Sequence, residues 1–133
     1  MFENEKIEQI SAGFFHILLL RKNGEVLVCG INRFGQLGTG DNENKNEFTL
    51  LMKDENILKI YYGYCHSIVF KKKGEFLVFG RNEDGELGIV NNENQNKPFL
   101  LMIDEKNKEN LLRRKSHNYF ERKWINLGIW KKF

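Results

Sequence analysis

Along the first hundred residues, apolar positions come in short runs separated by polar stretches that carry glycine. Residues 7–11 are apolar at Ile7 and Ile10. Residues 16–20 (HILLL) are apolar after the first position, as suits a strand buried on both faces. Residues 26–29 (VLVC) form another continuous run, closed by Gly30, and residues 48–52 (FTLLM) a further one. Short runs of this kind bounded by Gly and Asn predict strands rather than helices. Between the second and third runs, Lys22-Asn23-Gly24-Glu25 predicts a hairpin turn, because Asn-Gly tolerates the positive φ that tight hairpins need. The polar stretch that follows Gly30 predicts a long loop before the fourth strand.

The pattern then starts again. Residues 30–47 (GINRFGQLGTGDNENKNE) and 80–97 (GRNEDGELGIVNNENQNK) place Gly, Asn, Gly, Leu and Gly identically. A shift of 50 residues aligns 5–55 with 55–105 without a gap and matches 24 of 51 positions, far above chance, so the chain holds two copies of one unit. Matched pairs include Gly13/Gly63, His16/His66, Gly24/Gly74, Gly30/Gly80, Asn32/Asn82, Leu37/Leu87 and Met52/Met102. The second copy predicts strands at 57–61, 66–70, 76–79 and 99–103. Four strands in about fifty residues is the size of one propeller blade. The fold class expected is therefore all-β: two four-stranded antiparallel blades of β-propeller type, spanning about 5–54 and 55–104, plus a short C-terminal helical tail. Leu37 and Leu87 should tuck into the core and pin the repeated loop, with glycines supplying the conformations its turns require.

These residues carry a resemblance. Ala12-Gly13-Phe14-Phe15-His16, then Asn23-Gly24-Glu25-Val26, then Gly30-Ile31-Asn32-Arg33-Phe34-Gly35-Gln36-Leu37-Gly38-Thr39-Gly40 are similar to the repeat of the regulator of chromosome condensation family. The second copy departs slightly, with Glu86 for Gln36 and Val90 for Gly40. The family usually places Trp before the third-strand glycine, where this chain has Cys29 and Phe79, both apolar. The resemblance implies the blade fold. Its founding type exchanges nucleotide on the small GTPase Ran and docks on nucleosomes, while other members are interaction platforms, so the family does not dictate one activity. Members are typically seven-bladed, and two blades cannot close a ring. Three arrangements follow: a fragment of a larger propeller, a homo-oligomer whose copies complete a ring, or two blades capped by the tail.

Charge divides the chain near Glu105. Residues 1–105 carry net −4 and residues 106–133 net +7. In the tail, Leu111, Leu112, Lys115, Tyr119, Phe120, Lys123 and Trp124 recur at a rough 3.6-residue spacing, which predicts a helix over about 107–125. Ile125, Leu127, Ile129 and Trp130 add an apolar end. Such a basic amphipathic segment suits a cap on the blade edge, an unstructured tail, or an anionic ligand held by Arg113, Arg114, Lys115, Arg122 and Lys123, whether nucleic acid or an acidic membrane surface. No apolar run is long enough for a transmembrane helix, and MFENEKIEQI lacks the basic and apolar regions of a signal peptide, so an intracellular location, cytoplasmic or nuclear, is expected.

Catalytic chemistry is sparse. Cys29 and Cys65 sit in apolar surroundings and read as buried thiols. His16 and His66 share one repeat position, which favours a structural, hydrogen-bonding core role for both, and His117 has no evident carboxylate partner. Cys65 and His66 are adjacent, and neighbours on a strand point to opposite faces, which argues against an activated thiol. Three histidines and two cysteines show no zinc spacing. Gly35–Gly40 lacks the Gly-Lys-Ser/Thr ending of a phosphate loop, and Asp41–Glu47 puts Lys45 where a calcium loop needs a ligand. No cofactor or metal is expected.

The function expected is a non-catalytic protein–protein interaction module. Loops on a rigid scaffold commonly carry binding. The pairs Ile31/Arg81, Arg33/Glu83 and Phe34/Asp84 differ between copies, so each blade would show a protein partner a different surface. The alternatives are exchange activity on a small GTPase and tail-driven binding to nucleic acid or an anionic surface.

Overall fold

The computed structural model of the chain describes residues 6–89 and 91–102. The helix expected over 107–125 lies outside these residues, as does Ile103, the last residue of the expected eighth strand. The described part is two four-stranded antiparallel sheets, as the repeat requires. The first comprises β1 (Ile7–Ala12), β2 (His16–Arg21), β3 (Glu25–Gly30) and β4 (Lys45–Lys53). The second comprises β5 (Ile57–Tyr62), β6 (His66–Lys71), β7 (Glu75–Gly80) and β8 (Gln95–Met102). Each sheet is a simple meander in chain order, and no described strand crosses between sheets.

Registers repeat with the sequence. Leu18 faces Val28 across β2–β3, and Ile68 faces Val78 across β6–β7. β4 and β8 begin earlier than their apolar residues suggested. Lys45 pairs with Gly30, and Gln95 with Gly80, each past a register shift. Backbone pairing does not require apolar side chains, so the polar start of each strand escaped the hydrophobic pattern.

The hairpin at Lys22–Gly24 forms as expected, with the positive φ taken by the glycine alone. Gly24 takes φ +91°, and its N–H donates to the Arg21 carbonyl at 3.0 Å. Asn23 is not among the positive-φ residues; its Oδ1 instead accepts from the Glu25 N–H at 3.1 Å. In the second copy a 3-10 turn at Lys72–Gly74 does the same work, and there Lys73 is forced to φ 67°.

The two blades stack face to face. Alternation puts Leu18, Leu20, Val26 and Val28 on one face of the first sheet, with Leu37 folded over them. That face packs on Ile57, Ile60, Val69 and Phe79 of the second, all buried. Phe79, standing where Trp is usual, lies under the repeated loop of the first blade, where a Cβ on Gly38 would come within 2.8 Å of its ring.

Polar links pin this junction. The Gln9 side chain donates to the Ile60 carbonyl at 2.6 Å and accepts from the Ile60 N–H at 2.8 Å, completing the exposed edge of β5 as a backbone amide would. The Ser67 hydroxyl donates to the Gln36 carbonyl at 2.7 Å. The Gly40 N–H donates to the Asn96 carbonyl at 2.7 Å, and the Asn96 amide to Asn42 Oδ1 at 2.8 Å. The repeat breaks at the first two of these. Lys59 stands where Gln9 would recur, and Ile17 where Ser67 has its counterpart.

Two outcomes follow for urea unfolding. Gln9→Lys removes the oxygen that accepts from the Ile60 N–H and should cost about 1 kcal/mol, whereas Lys59→Gln at the equivalent exposed position should change stability by less than about 0.5 kcal/mol. Lys73→Asn relieves a positive φ that Asn tolerates and should raise stability by about 0.5–1 kcal/mol. No change in the midpoint for Gln9→Lys would remove the amide bridge from the account of the junction.

Candidate functional site

The short β1–β2 turns and the long β3–β4 loops emerge from the same end of both sheets, because antiparallel neighbours alternate direction. Each turn is a Gly-x-x-His unit. The Gly13 N–H donates to the His16 carbonyl at 2.7 Å, and Gly63 does the same with His66 at 2.8 Å. The histidine ring then packs against the glycine. A Cβ on Gly13 would come within 2.4 Å of His16 Cε1, so only glycine leaves room for the ring. His16 is thus a packing residue. Both its ring nitrogens are buried, and the His66 backbone is the polar group beside the ring. Burial lowers its pKa from 6.5 to about 4, with the neighbouring His66 backbone opposing the shift.

The turn closed by each histidine thrusts its two middle residues outward. Phe14, Phe15 and Tyr64 are 65%, 51% and 63% exposed. They nevertheless touch one another: Phe14 and Phe15 meet edge to face at 4.7 Å, and Phe14 reaches Tyr64 of the other blade at 5.0 Å. Three exposed rings in contact across two blades form one continuous aromatic patch.

The long loops are held from inside by asparagine. Asn32 is fully buried. Its amide donates to the Asp41 carbonyl at 2.9 Å and to Thr39 Oγ1 at 3.2 Å, while its Oδ1 accepts from the Leu37 N–H at 3.0 Å. Asn82 repeats this with Asn91, Glu93 and Leu87. Leu37 and Leu87 are fully buried, as expected. The Asp41 stretch is a loop clamp, with Lys45 Nζ 3.0 Å from its carboxylate and holding its pKa below the usual range.

Beside the aromatic patch lies a concavity of about 590 Å³, lined by Phe34, Tyr64, Cys65, His66, Arg81, Asp84 and Glu86. Arg81 is its hub. The guanidinium meets Asp84 at 2.8 Å and Glu86 at 2.5 Å, whose hydrogen bonds raise its pKa further, and Glu83 at 2.9 Å. Phe34 of the first blade reaches over, its ring centroid 5.9 Å from the Arg81 guanidinium and 5.7 Å from that of Arg33. Three of the six loop residues singled out in the sequence (Phe34, Arg81 and Asp84) line the concavity, while Arg33 meets it through Phe34 and Glu83 through Arg81. The sixth, Ile31, is exposed but does not line the concavity. The tail residues Arg113, Arg114, Lys115, Arg122 and Lys123 lie outside the described residues.

Tyr64, Cys65 and Glu86 were missed as site residues. Cys65 sits in the turn just before β6, so strand alternation does not separate it from His66, and both line the concavity. Burial raises the Cys65 thiol pKa, with Arg81 opposing and Glu86 reinforcing the shift, the opposite direction to thiol activation.

Sequence comparison agrees with this geometry. Two overlapping matches to the regulator of chromosome condensation repeat cover residues 7–36 and 23–70. The chain carries repeats of the regulator of chromosome condensation family. Among solved structures, these repeats superpose on human WBSCR16 with a TM-score of 0.68 at 26% identity, over 79% of this chain and 27% of that one. They superpose on yeast RCC1 (Prp20), solved with Kap60 bound, with a TM-score of 0.67 at 23% identity, over 79% of this chain and 25% of that one. The second likeness speaks for the blade fold alone. A segment of 43 residues, 32% of this chain, is 44% identical to Ras guanine nucleotide exchange factor C of Dictyostelium discoideum, of which it spans 3%. The repeats thus amount to about a quarter of the solved chains and a small part of the exchange factor. Among the described residues, no helix is long and apolar enough to cross a membrane.

His16 makes stability pH-dependent. The folded chain keeps it neutral down to about pH 4, whereas the unfolded chain protonates it near 6.5. Between those values the unfolded state binds more protons. Its contribution is complete above about pH 6.5 and declines as pH falls to about 4, by roughly 3 kcal/mol at most. Urea unfolding across pH 4–7 should show this slope, and His16→Gln should flatten it.

Proposed function

We propose that the chain is a non-catalytic protein-interaction module whose docking face is the loop end of the two blades. One observation carries this reading: the exposed, mutually touching rings of Phe14, Phe15 and Tyr64 border a concavity built around Phe34 and Arg81. Exposed contiguous apolar surface marks interaction sites, and aromatic and arginine side chains dominate binding energies at protein interfaces. The face is also rigid. Asn32 and Asn82 hold the loops, and the turn glycines hold the rings, so little ordering entropy is lost on docking. Propeller-type relatives support a protein partner. Yeast RCC1 was solved with Kap60 bound, and the binding of Prp20p to Gsp1p and histones has been studied. A cytoplasmic or nuclear location is part of the proposal.

A second reading, nucleotide exchange on a small GTPase, is favoured by the match to a protein named as a Ras guanine nucleotide exchange factor. It is the weaker one, because the matched stretch is 3% of that protein.

The deciding experiment uses the full chain as bait in an extract of the source cells, beside a Phe14→Ser/Tyr64→Ser variant. A Leu50→Ser variant, altered at an exposed strand position, serves as control. Partners retained by wild type and Leu50→Ser but reduced at least tenfold by the double variant support the face. A captured set indifferent to the double substitution would overturn it. Acceleration of nucleotide release from a captured GTPase by catalytic amounts of the chain would establish the second reading.

A further inference from the structure

The two ends of the blades differ in charge. At the loop end, residues 30–47 set Arg33 and Lys45 against Asp41, Glu43 and Glu47, and residues 80–97 set Arg81 and Lys97 against Glu83, Asp84, Glu86 and Glu93. That end therefore carries net −3, and the Gly-x-x-His turns beside it hold no Lys, Arg, Asp or Glu. The opposite end, at residues 21–25, 53–57 and 71–75, carries net +2. The concavity shows where the negative excess acts. Arg81 has the form of a hook for an anion, but it is already engaged: Glu83, Asp84 and Glu86 all pair with its one guanidinium. Three carboxylates around one cation leave net −2. Glu86 is largely enclosed, and its second oxygen accepts from the Asp84 N–H. The Asp84 and Glu83 side chains are 77% and 53% exposed, and each meets Arg81 through one oxygen. Among the described residues, the other oxygen of each accepts no hydrogen bond.

We propose that the concavity receives an arginine or lysine side chain of a protein partner, on a segment whose apolar neighbours lie against Phe14, Phe15 and Tyr64. The inference rests on the loop end being a docking face and names the chemistry of what docks there. Charge complementarity selects the occupant. An acidic segment would have to break the pairs around Arg81 before that guanidinium could receive it, and it would meet the excess carboxylates first. A cation finds the open oxygens of Glu83 and Asp84 as acceptors, and a bond to a charged pair is stronger than one between neutral groups. The rings favour the same occupant. Phe34 already lies beside two guanidinium groups, those of Arg33 and Arg81, and Tyr64 lines the same concavity and continues into exposed Phe14. Aromatic faces attract cations, and the apolar stem of Lys or Arg packs on the same rings. The opposite sign of the two ends also orients the approach of a basic segment toward the loops.

The test pans a random peptide display library on the full chain and measures the affinity of the recovered peptides for variants. Peptides should be enriched in Arg or Lys beside aliphatic or aromatic residues. Glu83→Gln/Asp84→Asn should weaken them about tenfold or more while leaving the β-sheet circular dichroism unchanged, since Glu86 still holds Arg81. Glu8→Gln/Glu55→Gln removes the same charge from exposed positions away from the loops and should leave affinity within about twofold. Raising salt from about 50 to about 500 mM should weaken binding several-fold. Peptides that need Phe14 and Tyr64 but are enriched in acidic or uncharged residues, or are indifferent to Glu83→Gln/Asp84→Asn, would overturn the basic occupant and leave the docking face standing. Peptides indifferent to Phe14→Ser/Tyr64→Ser as well would remove the docking face itself. Recovery of no peptide above background would overturn both.

Discussion

A four-stranded blade built from these sequences is apolar on both faces, and neither face can be left in water. β2 and β6 are buried over nearly their whole length, so alternation offers no solvent side to their middle residues. Stacking is the remedy. The first blade lays Leu18, Leu20, Val26, Val28 and Leu37 on Ile60, Val69 and Phe79 of the second, and this one sheet-on-sheet contact orients everything else. It brings the two turn tips within ring contact, and it brings Phe34 of one loop over Arg81 of the next. Without the stack, the aromatic patch would be two unrelated tips.

Apolar packing has no strong preference for one register, so the polar links matter in proportion to their specificity. Gln9 reads the edge of β5 as a missing strand would, Ser67 finds the Gln36 carbonyl, and Asn96 receives the first blade's loop. Inside each loop a buried asparagine bonds the backbone on both sides of a buried leucine. A buried polar group left unpaired would be costly, which is why these few residues hold long polar loops in one shape. The shape in turn fixes where Arg33, Phe34, Arg81, Glu83 and Asp84 stand.

Much of the fold was legible because a repeat doubles every signal. Strands, hairpins and the inward Leu37 and Leu87 appear twice at a spacing of 50, and the structure places them accordingly. What escaped was of two kinds. Polar residues that pair by backbone alone, at Lys45 and Gln95, carry no hydrophobic signature. Residues acting across blades, such as Gln9 and Ser67, are ordinary polar letters until a neighbour is placed beside them. The loop cluster was half legible. Arg81 with acids two, three and five positions on could have been read as a local ion-pair fork, but Phe34 joins it from fifty residues away.

By itself, the sequence determined the blade: its four strands, its turns, the glycine under each histidine and the family to which its repeats belong. These depend on contacts within about fifty residues, and local periodicity records such contacts directly. Tertiary structure alone decided the junction and the face. It showed that the His16 ring packs on Gly13 beside the backbone of the other blade's His66, that Cys65 and His66 share one concavity, and that exposed rings from two blades form one patch. The reason is physical: which surface two sheets present together depends on how their apolar faces stack, and no one-dimensional pattern encodes the angle or the offset of that contact.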